Sequence, residues 1–176
     1  MADPFVPCLA FALNEEGMWS NDPLDPGGPT YKGLTMRDIR RWFPNATVDD
    51  LHNAPNGLVA AMYRSFYWDE VRAADLWPGL NLLVFDYGVN AGAGTSVRSL
   101  QSLLHTAAVD GVAGPLTIAA ASGLAPPRRP SFLAQLAEAH RVSYRAMWQF
   151  PRYGKGWIGR VDRGLAVALK MLPQQT

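Results

Sequence analysis

The sequence predicts a mainly α fold broken, after its first helix, by a short irregular loop or β-ribbon. Two observations carry this. Apolar residues recur at helical spacing near both ends of the chain, whereas Ser20 to Thr35 holds three prolines and three glycines, too many to stay helical. The length of 176 residues suits one domain, or two small units sharing a core.

Asp3-Pro4 is a helix start: a carboxylate that caps free N–H groups precedes a proline that forfeits no bond. The helix is expected from Pro4 to about Glu16, with Gly17 as its stop. The Pro/Gly-rich ribbon follows. Thr35 with Asp38, and Thr47 with Asp50, have capping-box spacing and predict two short helices. Leu58, Met62 and Phe66 then mark a core helix running to about Arg72.

Leu80 to Gly88 is apolar and short, and periodicity alone does not separate strand from helix there. A helix is expected around Ser96 to Leu104, and Gly123 to Ser131 reads as a rigid basic connector. The next helix begins after Ser131 and places Phe132, Leu136, His140, Tyr144 and Met147 on one face. Arg152 to Trp157 reads as a basic aromatic loop feeding a terminal helix over Ile158 to Leu172. Trp68 and Trp148 fall within expected helices and are assigned to the core.

Composition removes several function classes. Cys8 is the single cysteine, which excludes an intrachain disulfide and a cysteine zinc site, and His52, His105 and His140 lack metal-ligand spacing. No metal and no cofactor are expected. No apolar run approaches the roughly 18 residues of a membrane span, so stable membrane insertion is not expected. The N-terminus lacks the basic region of a secretory signal, which points to synthesis in a cytoplasm.

The net charge of +1 is a cancellation. Residues 1–88 carry six Lys+Arg against twelve Asp+Glu, and residues 89–176 carry ten against three. The basic half matches no nucleic-acid reader, and a nucleic-acid partner is not expected. Gly88, Gly92 and Gly94 have neither the lysine nor the βαβ context of a phosphate loop.

Only four glutamates are present: Glu15, Glu16, Glu70 and Glu138. On a helical wheel started at Phe5, Glu16 falls at about 20°, inside the apolar stripe, and Glu15 at about 280°, on its edge. A carboxyl at the end of an apolar stripe is desolvated, as a general acid needs to be. The bland alternatives are that the helix ends before Glu16, or that Glu16 pairs with one of the 13 arginines. Glu138 projects away from its helix's apolar face, and Glu70 has Arg72 beside it. Asp22 and Asp25, with Thr30 and Tyr31, lie in the loop after Glu16 and offer a second carboxylate and hydroxyls, the groups that glycosidic cleavage uses. Ordinary turn formation explains Asp22-Pro23 and Asp25-Pro26 equally well.

The stretch Glu16-Gly17-Met18-Trp19, continuing through Asp25-Pro26-Gly27-Gly28-Pro29-Thr30 to Gly33-Leu34-Thr35, resembles the signature of glycoside hydrolase family 108. These are N-acetylmuramidases of phage endolysins and bacterial genomes. The departures are Met18 in place of a glycine and Trp19 in place of a tyrosine. The resemblance continues through Tyr67-Trp68-Asp69, Phe85 to Gly92, Leu100-Gln101 and Asp110 to Thr117. It extends to Gly156 to Arg160, within what looks like the peptidoglycan-binding region that accompanies the family.

That resemblance implies a lysozyme-like helical fold, with residues 1–80 as the hydrolase region and 81–176 as a peptidoglycan-binding-like region packed into the same unit. It implies cleavage of the β-1,4 bond between N-acetylmuramic acid and N-acetylglucosamine, with Glu16 catalytic. Phage-type lysozymes share a looser Glu, Asp, Thr pattern. By it Asp25 is the expected second carboxylate, Asp22 its competitor, and Thr30 the water-orienting or sugar-contacting hydroxyl.

Trp19 is the favoured sugar contact, followed by Trp157, with Tyr31 and Asn90 as further cleft candidates. The expected partner is the glycan strand of peptidoglycan, met by a monomer after holin-type release or another export route. A lytic transglycosylase, or a wall-binding protein without catalysis, are the alternatives.

Overall fold

The computed structural model describes residues 3–21, 28–106 and 108–173. Helix α1 (Phe5–Glu15) begins where expected, with the Asp3 carboxylate accepting a 3.0 Å bond from the Phe5 N–H. It ends at Glu15, one residue short of the expected last helical residue. Glu16 has extended backbone (φ −89°, ψ 147°), so its side chain is aimed by the turn out of the helix and not by the helical phase.

Three two-residue strands follow: β1 (Trp19–Ser20), β2 (Thr30–Tyr31) and β3 (Leu34–Thr35), antiparallel in the order β1-β2-β3. Trp19 pairs with Tyr31, and Tyr31 with Leu34. Lys32 and Gly33 join β2 to β3 with φ of 49° and 76°, the left-handed pair that a tight hairpin requires.

Both capping boxes form. The Thr35 and Thr47 hydroxyls accept from the N–H groups of Asp38 and Asp50, whose carboxylates accept in return, starting α2 (Met36–Arg40) and α3 (Val48–His52). The expected Leu58 to Arg72 helix is observed as α4 (Asn56–Tyr63) running into a π-helical turn (Arg64–Trp68), with Arg72 left-handed beyond it.

Helix α5 (Leu80–Ala91) resolves the strand-or-helix ambiguity. Every residue from Leu80 to Gly88 is buried, so no apolar stripe exists for periodicity to detect. It packs against α1, α6 (Ala93–Leu104), α8 (Arg129–Arg145) and α9 (Phe150–Lys170). At its start Gly79 has φ of 91°, and a Cβ there would lie 2.4 Å from the Ala168 carbonyl oxygen of α9. Between α6 and α8 runs α7 (Pro115–Ser122). Buried Gln101 ties the loop before it together by donating to Asp110, Val112 and Thr117 and accepting from Gly111 N–H.

Two expectations near the C-terminus are corrected. Arg152 to Trp157 is helical, part of α9, because packing overrides the glycines: Gly154 lies beneath the Phe150 ring, where a Cβ would meet it at 2.5 Å. Trp148 is not in the core but 86% exposed in the turn between α8 and α9, and Met147 lies beyond the helix whose face it was expected to share. Trp68 is fully buried as expected.

Candidate active site

The residue after α1 stands where three parts of the chain meet. Glu16 Oε1 accepts a 2.6 Å bond from Arg160 Nη1, on α9. The same guanidinium grips Asp86 of α5, with Nε at 3.1 and 3.2 Å from the two carboxylate oxygens and Nη2 at 2.8 Å from Oδ1. Arg160 is therefore a planar fork held by one carboxylate and pointing a free N–H at another. Both alternatives weighed for Glu16 from its sequence hold: the helix ends before it, and it pairs with an arginine.

The burial of these groups is graded. The Arg160 and Asp86 side chains are 9% and 10% exposed, and Glu16 is 20% exposed. Burial pushes the Asp86 carboxyl above the usual carboxylate range, against the pull of Arg160. Burial opposes the charge on Arg160 too, yet Asp86 and Glu16 together hold it above its ordinary value. Glu16 is the member of the trio with access to solvent, and no described residue bonds its Oε2.

The β2–β3 hairpin forms the other wall. Tyr63 Oη donates a 2.7 Å bond to the Lys32 carbonyl, pinning the turn. A Cβ on Gly33 would lie 2.5 Å from Tyr63 Oη and 2.9 Å from Glu16 Cγ and Cδ. The bare backbone at Gly33 is what lets the hairpin close on the carboxyl. Burial, and next the nearby Glu16 charge, push the Tyr63 phenol up, so it stays protonated and donates. Glu15 turns to Arg163, which donates through Nε at 2.8 Å and through Nη2. That arginine hydrogen bond lowers the Glu15 pKa.

The other candidates are distributed around this centre. Thr30 lies in β2 opposite Ser20 and Thr35. Trp19 lies over His52 with ring centroids 4.4 Å apart, and Tyr31 meets the same imidazole edge-on at 6.2 Å, so the ribbon presents a braced aromatic surface. Asn90 is exposed at the end of α5, but its amide donates to the Asp86 carbonyl one turn back. Trp157 sits within α9 between Tyr144 at 5.2 Å and Tyr153 at 5.8 Å, and not in a loop. Asp22 and Asp25 lie outside the described residues. Among the described residues no group of three or more His, Cys, Asp or Glu side chains is placed to hold a metal.

Arg160, Asp86, Tyr63 and Gly33 were not singled out from the sequence. The available signal was one aspartate inside an otherwise apolar helix, which needs a cation near it once that helix is buried.

A carboxyl 20% exposed and held by an arginine beside a polar ribbon is an arrangement that could serve acid–base chemistry. Residues 9–92, which include Glu16, the ribbon and Asp86, match the family model described as Glycosyl hydrolase 108. Over those residues the chain is similar to glycosyl hydrolase 108. Over nearly the whole chain it is similar to the solved "Structure of Brucella abortus SagA", with a TM-score of 0.87, 26% identity and 97% of each chain covered. No curated protein sequence matches it.

Proposed function

We propose that the protein is an N-acetylmuramidase that hydrolyses the β-1,4 bond between N-acetylmuramic acid and N-acetylglucosamine in peptidoglycan. The observation that carries this reading is the Glu16 carboxyl, fixed through one oxygen by Arg160 and hemmed by the Gly33 hairpin. In this reading Glu16 protonates the leaving oxygen of the scissile bond. Asp25, with Asp22 as competitor, stabilises charge at the sugar or activates water. Thr30 orients that water or contacts the sugar, and Trp19 and Tyr31 form the aromatic surface on which a sugar face rests.

Residues 81–176, with their excess of cations, supply attraction to a polymer whose stem peptides carry carboxylates. In this reading the protein acts on the wall after release from a cytoplasm; among the described residues no helix is long and apolar enough to cross a membrane.

The test is Glu16→Gln assayed on purified cell walls, where loss of a general acid lowers the rate by about 10²–10⁴-fold. Near-normal lysis by the folded variant overturns the assignment. Mass spectrometry of the products of the wild-type protein separates hydrolysis, which leaves reducing ends, from transglycosylation, which leaves 1,6-anhydro ends. Wall binding with no new ends of either kind overturns catalysis altogether.

A further inference from the structure

We infer that the concave face built by α2, α3 and the loop between them is a second saccharide site, separate from the Glu16 centre and taking a neutral N-acetylhexosamine unit of the glycan. The choice of ligand rests on the muramidase reading above. The concavity has a volume of about 690 Å³, and its lining includes Trp42, Phe43, Asn45, Asp49 and Asn53. That volume falls in the range of small-molecule sites, roughly 300–1,000 Å³. Neither Glu16, Arg160, Asp86 nor any residue of the three strands lines it.

Trp42 and Phe43 are 39% and 48% exposed, two large aromatic rings left out of the core side by side. Trp42 is nonetheless braced. Its ring meets Phe66 edge-on at 5.6 Å, and the Arg41 guanidinium covers that same phenyl ring at 3.8 Å. The loop is fixed as well, by Phe43 N–H on the Ile39 carbonyl, Ala46 N–H on the Phe43 carbonyl and Arg40 Nε on the Ala46 carbonyl. A ring immobilised before its ligand arrives loses little entropy on binding.

The polar groups beside it suit hydroxyls. Asp50 is committed to the Thr47 cap, and the Asn53 amide donates to the Asp49 carbonyl, leaving its own oxygen as an acceptor. Asp49 and Asn45 make no side-chain hydrogen bond with the described residues. An indole face flanked by a carboxylate and two carboxamides matches a pyranose, whose C–H face is apolar and whose rim bears hydroxyl and acetamido groups. Two carboxylates and no cation line the site, so it disfavours phosphate and the lactyl carboxylate of N-acetylmuramic acid and favours N-acetylglucosamine. Such a site holds the enzyme on an insoluble wall while cleavage proceeds at Glu16.

The test uses the full chain as Glu16→Gln, titrated with triacetylchitotriose and followed by ¹⁵N NMR. The Trp42 indole and the Asn45 and Asn53 carboxamide resonances are expected to move along a saturating curve. In the active background, Trp42→Ala and Asn45→Ala are expected to reduce retention on purified peptidoglycan at least threefold while leaving hydrolysis of a short soluble glycan unchanged. Asn45→Ala removes no hydrogen bond or ion pair among the described residues and keeps the test valid should Trp42→Ala unfold.

Silence of these resonances at sugar concentrations that saturate those of the ribbon overturns the proposal. So does full wall retention by folded variants, or a response only to a diamino stem peptide. The muramidase reading fails separately, by absence of new chain ends from soluble glycan, and the titration still reports on the second site.

Discussion

Glu16 Oε1 and Arg160 Nη1 lie 2.6 Å apart although 144 residues separate them in the chain. The candidate acid at the end of the first helix is thus positioned by the last helix, and the guanidinium is itself oriented by Asp86 from the most buried one. The segment that holds Glu16 and the C-terminal helix meet in one ionic centre.

Arg160 and Asp86 form a buried pair, and removing one partner leaves an uncompensated charge. Arg160→Met is expected to cost about 3–5 kcal/mol and to abolish activity in whatever fraction folds. Urea denaturation and a wall-lysis assay check this. Arg163 bonds Glu15 with similar geometry, but its guanidinium is 58% exposed while the Glu15 side chain is 6% exposed, so Arg163→Ala lets water replace the lost partner at one side and is expected to cost less than Arg160→Met. Equal losses for the two arginines would mean that solvent access to the guanidinium does not decide the cost.

Gly33 carries both a left-handed backbone and the closest approach to Glu16. Gly33→Ala strains the turn by about 1–2 kcal/mol and drives a methyl group into the Glu16 and Tyr63 side chains. The expected outcome is a folded protein whose kcat falls at least tenfold, because the carboxyl must move. Tyr63→Phe, which loses only the bond to the Lys32 carbonyl, should fall less. Steady-state kinetics on soluble glycan, with thermal melting as control, decides between them.

What was legible in the sequence was local. The Thr35 and Thr47 boxes and the Asp3 cap are interactions between residues two or three apart, and each formed as read. Glu16 is legible as a glutamate at a helix end, but the turn out of the helix, and not the helical phase, aims its side chain. Arg160 is not legible because nothing local distinguishes one of 13 arginines, and the Asp86 signal, a carboxylate within an apolar segment, does not say which cation meets it. The α9 start was misread for a different reason. Its glycines look like loop residues, but Gly154 admits Phe150 and Gly164 packs against Leu83 and Phe11, so tertiary packing outweighs propensity there.

Cys8 is fully buried on α1, and burial, followed by the charge of Asp86, pushes its thiol up to about 12. The native protein is expected to give no colour with a thiol reagent at pH 8, and one equivalent once denatured. Rapid labelling without denaturant would mean that α1 opens readily, and with it the seat of Glu16.

His140 lies on the buried face of α8, stacked flat on Tyr87 at 3.8 Å and only 2% exposed. Burial, helped by the Arg141 charge, pushes its imidazole down to about 3. The folded protein therefore keeps His140 neutral under conditions where the unfolded chain, with an ordinary value near 6.5, binds a proton. Its contribution is present above about pH 6.5 and is lost as pH falls from there toward 3, at up to about 1.4 kcal/mol per pH unit. Between pH 6.5 and 5 this one group is expected to remove about 2 kcal/mol of stability. His140→Phe keeps a ring against Tyr87 and cannot take the proton, so its stability should decline less over that interval, by about the same amount. Urea denaturation of both proteins at pH 7 and pH 5 makes the comparison. Parallel declines would show that another group carries the acid sensitivity.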